Sequence, residues 1–139
     1  MVVRVVVAES DGTARSVLVA LLAMVGGIEV VAEAASAAEA VAMGESLRPD
    51  VVLLGDALAA PACIGALRAR SPATRVLVLA TYPESAVAAA VAGADSCVLK
   101  DAGTQELAKA ILALAGGAKG PSDERAGEDP GRSRGLWAD

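Results

Sequence analysis

Side chains able to bind a phosphoryl group or a cation follow two of the short apolar runs that predict buried strands. Glu9 and Asp11 come after the first run, and Lys100 comes after the last. In an open α/β sheet the carboxyl ends of parallel strands meet at one edge, so we expect these charges to lie together there. The middle run, residues 50–54, leads into Gly55, which has no side chain. The spacing therefore predicts a charged site whose central position carries no side chain.

The elements that position these residues alternate along the chain, which predicts an α/β fold. Alternation of this kind implies right-handed crossovers and a five-stranded parallel sheet with helices on both faces. The helix starts carry recognisable signals, such as the capping box formed by Ser36 and Glu39. Strands are predicted at about residues 2–8, 28–34, 50–54, 75–79 and 96–99, and helices at about residues 12–25, 37–47, 61–70, 83–92 and 104–114.

Composition excludes several classes of function. The chain of 139 residues has no histidine, which removes the commonest general base, the Ser-His and Cys-His nucleophiles and most zinc sites. A net charge of −5 argues against nucleic-acid binding by this segment. No run approaches the ~20 apolar residues of a membrane helix, so we expect no membrane span. Cys63 and Cys97 lack metal-ligand spacing and are predicted to be reduced core residues, which favours a cytoplasmic protein without metal or cofactor.

The predicted domain covers residues 1–117. From residue 118 to residue 139 the chain is rich in Gly, Pro, Ser and mixed charge, with few apolar residues. Such a composition cannot bury enough apolar surface to fold, so we interpret residues 118–139 as a disordered tail or linker.

The order of these elements, with their turns, resembles the receiver domain of bacterial response regulators, which has a CheY-like, flavodoxin-like fold. The resemblance runs from about residue 3 to residue 117 and is closest to receivers that precede a LuxR-type helix-turn-helix domain. It is carried by several short runs: Val3-Arg4-Val5-Val6-Val7-Ala8, Ile28-Glu29-Val30-Val31-Ala32-Glu33-Ala34, Arg48-Pro49-Asp50-Val51-Val52-Leu53-Leu54, Thr74-Arg75-Val76-Leu77-Val78-Leu79, Ala92-Gly93-Ala94 and Leu99-Lys100-Asp101.

The resemblance implies a specific phosphorylation site. In that family two acids after the first strand hold Mg²⁺, and an aspartate after the third strand takes a phosphoryl group from a histidine kinase. A Ser or Thr after the fourth strand and a Lys after the fifth bind the phosphoryl oxygens. These groups supply the nucleophile, the oxygen ligands and the positive charge that phosphoryl transfer requires.

Carried over position by position, this chain keeps little of that site. Glu9 stands at the first acidic position, but Ser10 stands at the second. Gly55 replaces the phosphoacceptor, and Ala80 replaces the hydroxyl residue. Lys100 is kept. The resemblance therefore implies a degenerate receiver that aspartyl phosphorylation does not switch.

Neighbouring residues leave some alternatives open. Asp11 could partly replace the lost acid, and Thr81 lies next to Ala80. Asp56 comes one residue after the acceptor position, but successive strand residues point to opposite faces, so we expect its carboxylate to turn away from Lys100 as a solvated loop acid. We expect Lys100 to pair with Glu9, Asp11 or Asp56, because a partly buried ammonium needs a partner.

The leading functional hypothesis is a pseudo-receiver that acts as a regulatory, dimerisation or partner-docking module in transcription regulation, and not as an enzyme. We expect a protein partner or a second copy of the chain, and the alanine-rich helix at residues 83–92 is the favoured contact surface. The alternative is a small-anion or metabolite sensor that uses the emptied pocket beside Gly55, Ala80 and Lys100.

Overall fold

A computed structural model describes residues 2–117, so the predicted tail at residues 118–139 lies outside the described residues. Strands and helices alternate in the order β1, α1, β2, α2, β3, α3, β4, α4, β5, α5, with short 3₁₀ turns after β3 and β5. The strands are β1 (Val3–Ala8), β2 (Ile28–Ala34), β3 (Val51–Gly55), β4 (Arg75–Ala80) and β5 (Ser96–Leu99). The helices are α1 (Gly12–Ala23), α2 (Ala37–Leu47), α3 (Pro61–Arg70), α4 (Pro83–Ala92) and α5 (Thr104–Ala115).

The five strands form one parallel sheet in the order β2-β1-β3-β4-β5, which confirms the predicted fold class. Gly55 pairs with Leu79, and Ala80 pairs with Leu99. This register brings the carboxyl ends of β3, β4 and β5 to the same edge of the sheet. The residues that follow these ends are therefore neighbours in space, as the sequence pattern predicts.

Two hydrophobic cores lie on the two faces of the sheet, because alternate strand residues point to opposite sides. Val52 and Leu54 pack on the face covered by α2, α3 and α4. Leu53 and Leu77 pack on the face covered by α1 and α5. The chain has no Phe, and the first core uses many alanines where helices approach the sheet.

Helix boundaries follow the predicted capping residues at most ends. The Ser36 side chain accepts a hydrogen bond from the Glu39 amide, while the Glu39 carboxylate accepts one from the Ala35 amide. Prediction and structure differ at the end of α1, which stops at Ala23 and not near residue 25. The Met24 amide bonds to the Leu21 carbonyl there, so the last turn has already left the α-helical pattern.

Prediction and structure also differ after β3. The strand continues through Gly55, which pairs with Leu79, and a 3₁₀ turn at Asp56–Leu58 replaces the first part of the predicted loop. Gly55 is thus the last residue of a buried strand.

A buried carboxylate in the turn before β5 joins three elements. The Asp95 side chain is only 3% exposed and accepts a hydrogen bond of 2.7 Å from the Val76 amide. Asp95 also forms an ion pair of 2.7 Å with Arg68 and a longer one of 3.8 Å with Arg75. Arg68 donates in turn to the Gly93 carbonyl at 2.6 Å. This network ties α3 to β4 and to the turn that leads into β5.

Within residues 2–117, no helix is both long and apolar enough to cross a membrane.

Candidate functional site

The space above Gly55 is filled by the side chain of Glu9, which reaches across from the end of β1. A Cβ atom built on Gly55 would meet the Glu9 carboxylate, with the Glu9 Cδ at 3.1 Å. The Gly55 backbone (φ −64°, ψ 149°) is ordinary extended structure that any residue can adopt. A larger residue at this position would therefore have to displace the Glu9 side chain, whereas the main chain imposes no requirement for glycine.

Lys100 pairs with that same carboxylate. Its Nζ lies 3.9 Å from Glu9 Oε1, and the Asp11 amide donates to Glu9 Oε2 at 3.0 Å. Glu9 is buried, whereas the Lys100 side chain is 41% exposed. Of the three partners predicted for Lys100, the structure thus selects Glu9 as its ion pair. The buried Glu9 carboxylate, beside the Lys100 ammonium, thus lies where the side chain of a phosphoacceptor at residue 55 would begin.

Arg15 adds a second positive charge that the sequence reasoning did not single out. Its Nη1 donates to the Glu9 carbonyl at 2.8 Å, and its Nε lies 3.4 Å from Glu33 Oε1. One sequence signal could have indicated Arg15: it lies in the first turn of the predicted helix, directly after the acidic residues. Arg15 fixes the main chain that carries Glu9.

Asp56 lies beside the β4–α4 connection and makes no ion pair with Lys100 in the described part of the chain. Its Oδ2 accepts a hydrogen bond of 2.7 Å from the Thr81 amide. Partial burial raises the pKa of Asp56, but hydrogen bonds from Thr81, the Lys100 charge and the Ser85 hydroxyl outweigh it, so the pKa lies below its usual value. Asp56 is therefore a partly exposed acid of the 3₁₀ turn, and the Thr81 amide holds its carboxylate in place.

The remaining predicted site residues are Ser10, Asp11, Ala80 and Thr81, and none of them pairs with Lys100 in the described part of the chain. Ala80 is fully buried at the end of β4, and Thr81 is exposed. Ser10 is exposed, and Asp11 caps α1 by accepting hydrogen bonds from the Thr13 and Ala14 amides.

These residues do not fit the Mg²⁺ ion that the fold family implies. The ion requires several oxygen ligands in near-octahedral geometry. Here one acidic position is Ser10, Gly55 contributes no oxygen from a side chain, and the Glu9 carboxylate is already bound by Lys100 and an amide. Among residues 2–117 no three acidic or thiol side chains are grouped to hold a metal ion.

Both cysteines are free thiols. Burial, together with the Asp56 carboxylate, raises the pKa of Cys97 to about 12. Burial also raises the pKa of Cys63. Because the thiolate is the reactive form, both side chains are poor nucleophiles at neutral pH.

The sheet order and the charged residues at its carboxyl edge define a receiver-type signalling domain. The comparison with known proteins agrees. The response regulator receiver domain family matches residues 5–112, and the chain belongs to this family.

Relatives of the chain include transcription regulators. It is 36% identical over 121 residues to the DNA-binding transcriptional activator DevR/DosR of Mycobacterium tuberculosis, covering 83% of this chain and 55% of that protein. It is 35% identical over 104 residues to the nitrate/nitrite response regulator NarL of Escherichia coli, covering 70% of this chain and 47% of that protein. The chain thus spans about half the length of the curated relatives it matches.

Solved structures show the same fold. The receiver domain of the response regulator NarL from Mycobacterium tuberculosis is 32% identical, with a TM-score of 0.76 over 84% of this chain and 98% of that one. A LuxR-family two-component response regulator from Aurantimonas sp. SI85-9A1 is 27% identical, with a TM-score of 0.79 over 96% of this chain and 99% of that one.

Proposed function

We propose that this chain is a pseudo-receiver that works without phosphorylation, as a regulatory, dimerisation or partner-docking module of a cytoplasmic transcription regulator. The family and the relatives support the regulatory role. The composition supports a role in protein contact, since the net charge of −5 disfavours DNA binding by this segment. Any DNA-binding activity would belong to a separate output domain.

One observation carries the loss of phosphorylation: the Glu9 carboxylate lies in the space where an acceptor side chain at residue 55 would begin. Glu9 is not equipped to replace that acceptor, because Ser10 and Gly55 leave it without neighbouring side-chain carboxylates to hold a metal ion beside it. The hydroxyl residue and one acid are absent as well, at Ala80 and Ser10. The Lys100 and Glu9 charges therefore balance each other, so neither a bound cation nor a phosphoryl group is needed to neutralise them.

Acetyl phosphate with Mg²⁺ is expected to leave the intact mass of this protein unchanged, because no carboxylate lies at the acceptor position with metal ligands beside it. Mass spectrometry measures the result, and a receiver domain that keeps its aspartate, treated in parallel, supplies the positive control. A stable gain of one phosphoryl group on Asp56 would contradict the proposal.

The structure favours this module over the alternative, a small-anion sensor at the emptied position. That alternative needs free space beside Gly55 at the emptied position, but the Glu9 carboxylate lies there. A second anion there would approach Glu9 at close range, where like charges repel strongly.

The outer face of α4 is the best candidate for the contact surface. Its small residues Ala86 and Ala89 point inward and are buried, whereas Val87 and Val91 are 62% and 84% exposed. Tyr82, just before the helix, is also exposed. A helix normally turns its larger apolar residues toward the core, so this reversed arrangement is typical of a surface that another protein covers.

Val91→Glu is therefore expected to weaken self-association or partner binding by about tenfold or more, since a charge in a desolvated apolar contact costs at least ~1.4 kcal/mol. Light scattering over a range of protein concentrations measures self-association. Met24→Glu is the matched control, because Met24, which directly follows α1, is 82% exposed, much like Val91 at 84%. Loss of association in the Met24 variant alone would place the contact on α1 instead.

A further inference from the structure

A small cavity lies between the 3₁₀ turn after β3 and the inner side of α4. Its volume is about 180 Å³. It exists because both elements present short side chains to each other, so the gap between them is not filled. The apolar walls include Ala57, Ala59, Ala88 and Ala89, and Asp56 and Ser85 are the polar residues of its lining.

The cavity carries one negative charge that lacks an ion-pair partner. No lysine or arginine among residues 2–117 lies within ion-pair distance of Asp56. The Thr81 amide holds one of its oxygens at 2.7 Å, so the carboxylate is oriented before any ligand arrives. Against the effect of partial burial, hydrogen bonds from Thr81, the more distant charge of Lys100 and a hydrogen bond from Ser85 hold the pKa of Asp56 below its usual value, which keeps it ionised at neutral pH. A partly buried ionised carboxylate of this kind gains most from a cationic partner.

The size and the walls of the cavity restrict that partner further. Its volume of about 180 Å³ has room for a small organic molecule, and because the wall residues Ala57 and Ala88 are exposed, the cavity is open to solvent on one side. A bare metal ion would find only one carboxylate and would gain nothing from the alanine walls. An anion would be repelled by Asp56. A short aliphatic chain that ends in a primary ammonium satisfies both the charge and the walls.

We propose that this cavity binds a small primary amine in its ammonium form, with the ammonium on the Asp56 carboxylate and the aliphatic chain against the alanines of α4 and the 3₁₀ turn. This site adjoins the Glu9–Lys100 pair without sharing its ion pair, and it rests on the proposed function in one respect, since Asp56 must stay unphosphorylated. Binding stabilises α4 against the sheet, directly beneath the exposed valines of its outer face.

The test is an NMR titration of the full chain with n-butylammonium chloride at constant ionic strength and neutral pH. We expect saturable amide shifts centred on Ser85, Ala88 and Ala89. Sodium butyrate, which has a similar shape and the opposite charge, is expected to produce no saturable shift at these amides. Ammonium chloride is expected to bind much more weakly, because it lacks the chain that the walls contact.

Two variants and one control separate the site from a general charge effect. Asp56→Asn keeps an oxygen for the Thr81 amide and is expected to weaken butylammonium binding by about 10- to 100-fold, the range for a hydrogen bond to a charged group. Ala88→Leu fills the cavity from an exposed position and is expected to abolish binding. Asp101→Asn removes the same charge at an exposed position outside the cavity lining and is expected to change nothing.

Equal binding by the wild-type chain and Asp56→Asn would overturn the proposal. So would equal affinity for ammonium and butylammonium, which would show a simple counter-ion effect.

Discussion

A variant that combines Gly55→Asp, Ser10→Asp, Ala80→Thr and Glu9→Asp is expected to accept one phosphoryl group from acetyl phosphate in the presence of Mg²⁺. The aspartate introduced at residue 55 supplies the nucleophile, and its attack on phosphorus releases acetate. Lys100 and the introduced threonine then have phosphoryl oxygens to bind. Intact-mass spectrometry is expected to show the added group on most molecules, compared with none for the wild-type chain.

The fourth change, Glu9→Asp, follows from the structure. With Glu9 in place, a carboxylate at residue 55 would meet the Glu9 carboxylate and compete with it for Lys100. Shortening Glu9 by one methylene withdraws its charge from the acceptor position. The backbone at residue 55 is extended and accepts an aspartate without strain.

Two control variants make this experiment decisive. The triple variant that keeps Glu9 is expected to be phosphorylated more slowly, because its lysine is shared between two carboxylates. The quadruple variant with Gly55→Asn is expected to take no phosphoryl group. If the quadruple variant with aspartate also fails, then the loss of these side chains is not the whole explanation.

Asp95→Ala is expected to lower the free energy of unfolding by about 3 kcal/mol, as for other broken buried ion pairs. The Asp95 side chain is 3% exposed and bonds at 2.7 Å to both Arg68 and the Val76 amide. Its removal leaves a buried backbone donor without a partner. The side chains of Arg68 and Arg75 are 32% and 27% exposed and can reach water, which limits the loss. Urea unfolding followed by circular dichroism measures the change.

The controls for Asp95 separate charge from hydrogen bonding. Asp95→Asn keeps an acceptor for the Val76 amide and is expected to cost less than the alanine variant. Asp101→Ala, at an exposed position, is expected to stay within about 0.5 kcal/mol of the wild-type chain. An alanine variant at residue 95 as stable as the Asp101 variant would show that the network contributes little.

The fold was predictable because its signals are local. Apolar runs of strand length, separated by helical patterns, predict the parallel sheet, and Ser36, Pro61 and Pro83 correctly predict helix starts. The end of α1 was less accurate, since apolar residues continue past Ala23 while the hydrogen bonding has already changed. Apolar periodicity does not report the conformation of the last turn.

The site was predictable only in part. The strand ends indicated that Glu9 and Lys100 would lie close together, and the alternation of strand residues indicated that Asp56 would point away from Lys100. The position of Glu9 above Gly55 was not predictable, because it depends on how a flexible side chain fills space left by another strand. The Asp95 network was missed for a similar reason: its arginines come from α3 and β4, far away along the chain.

The contact between Glu9 and Gly55 also bears on the evolutionary history of the domain. Two of the four glycine codons become aspartate codons through one base change, so from such a codon an aspartate at residue 55 is a single mutation away. In this chain that mutation would force an established carboxylate off its lysine before any signalling benefit could appear. A change to aspartate at residue 55 is therefore not neutral in this chain, because it disturbs an ion pair that already exists there.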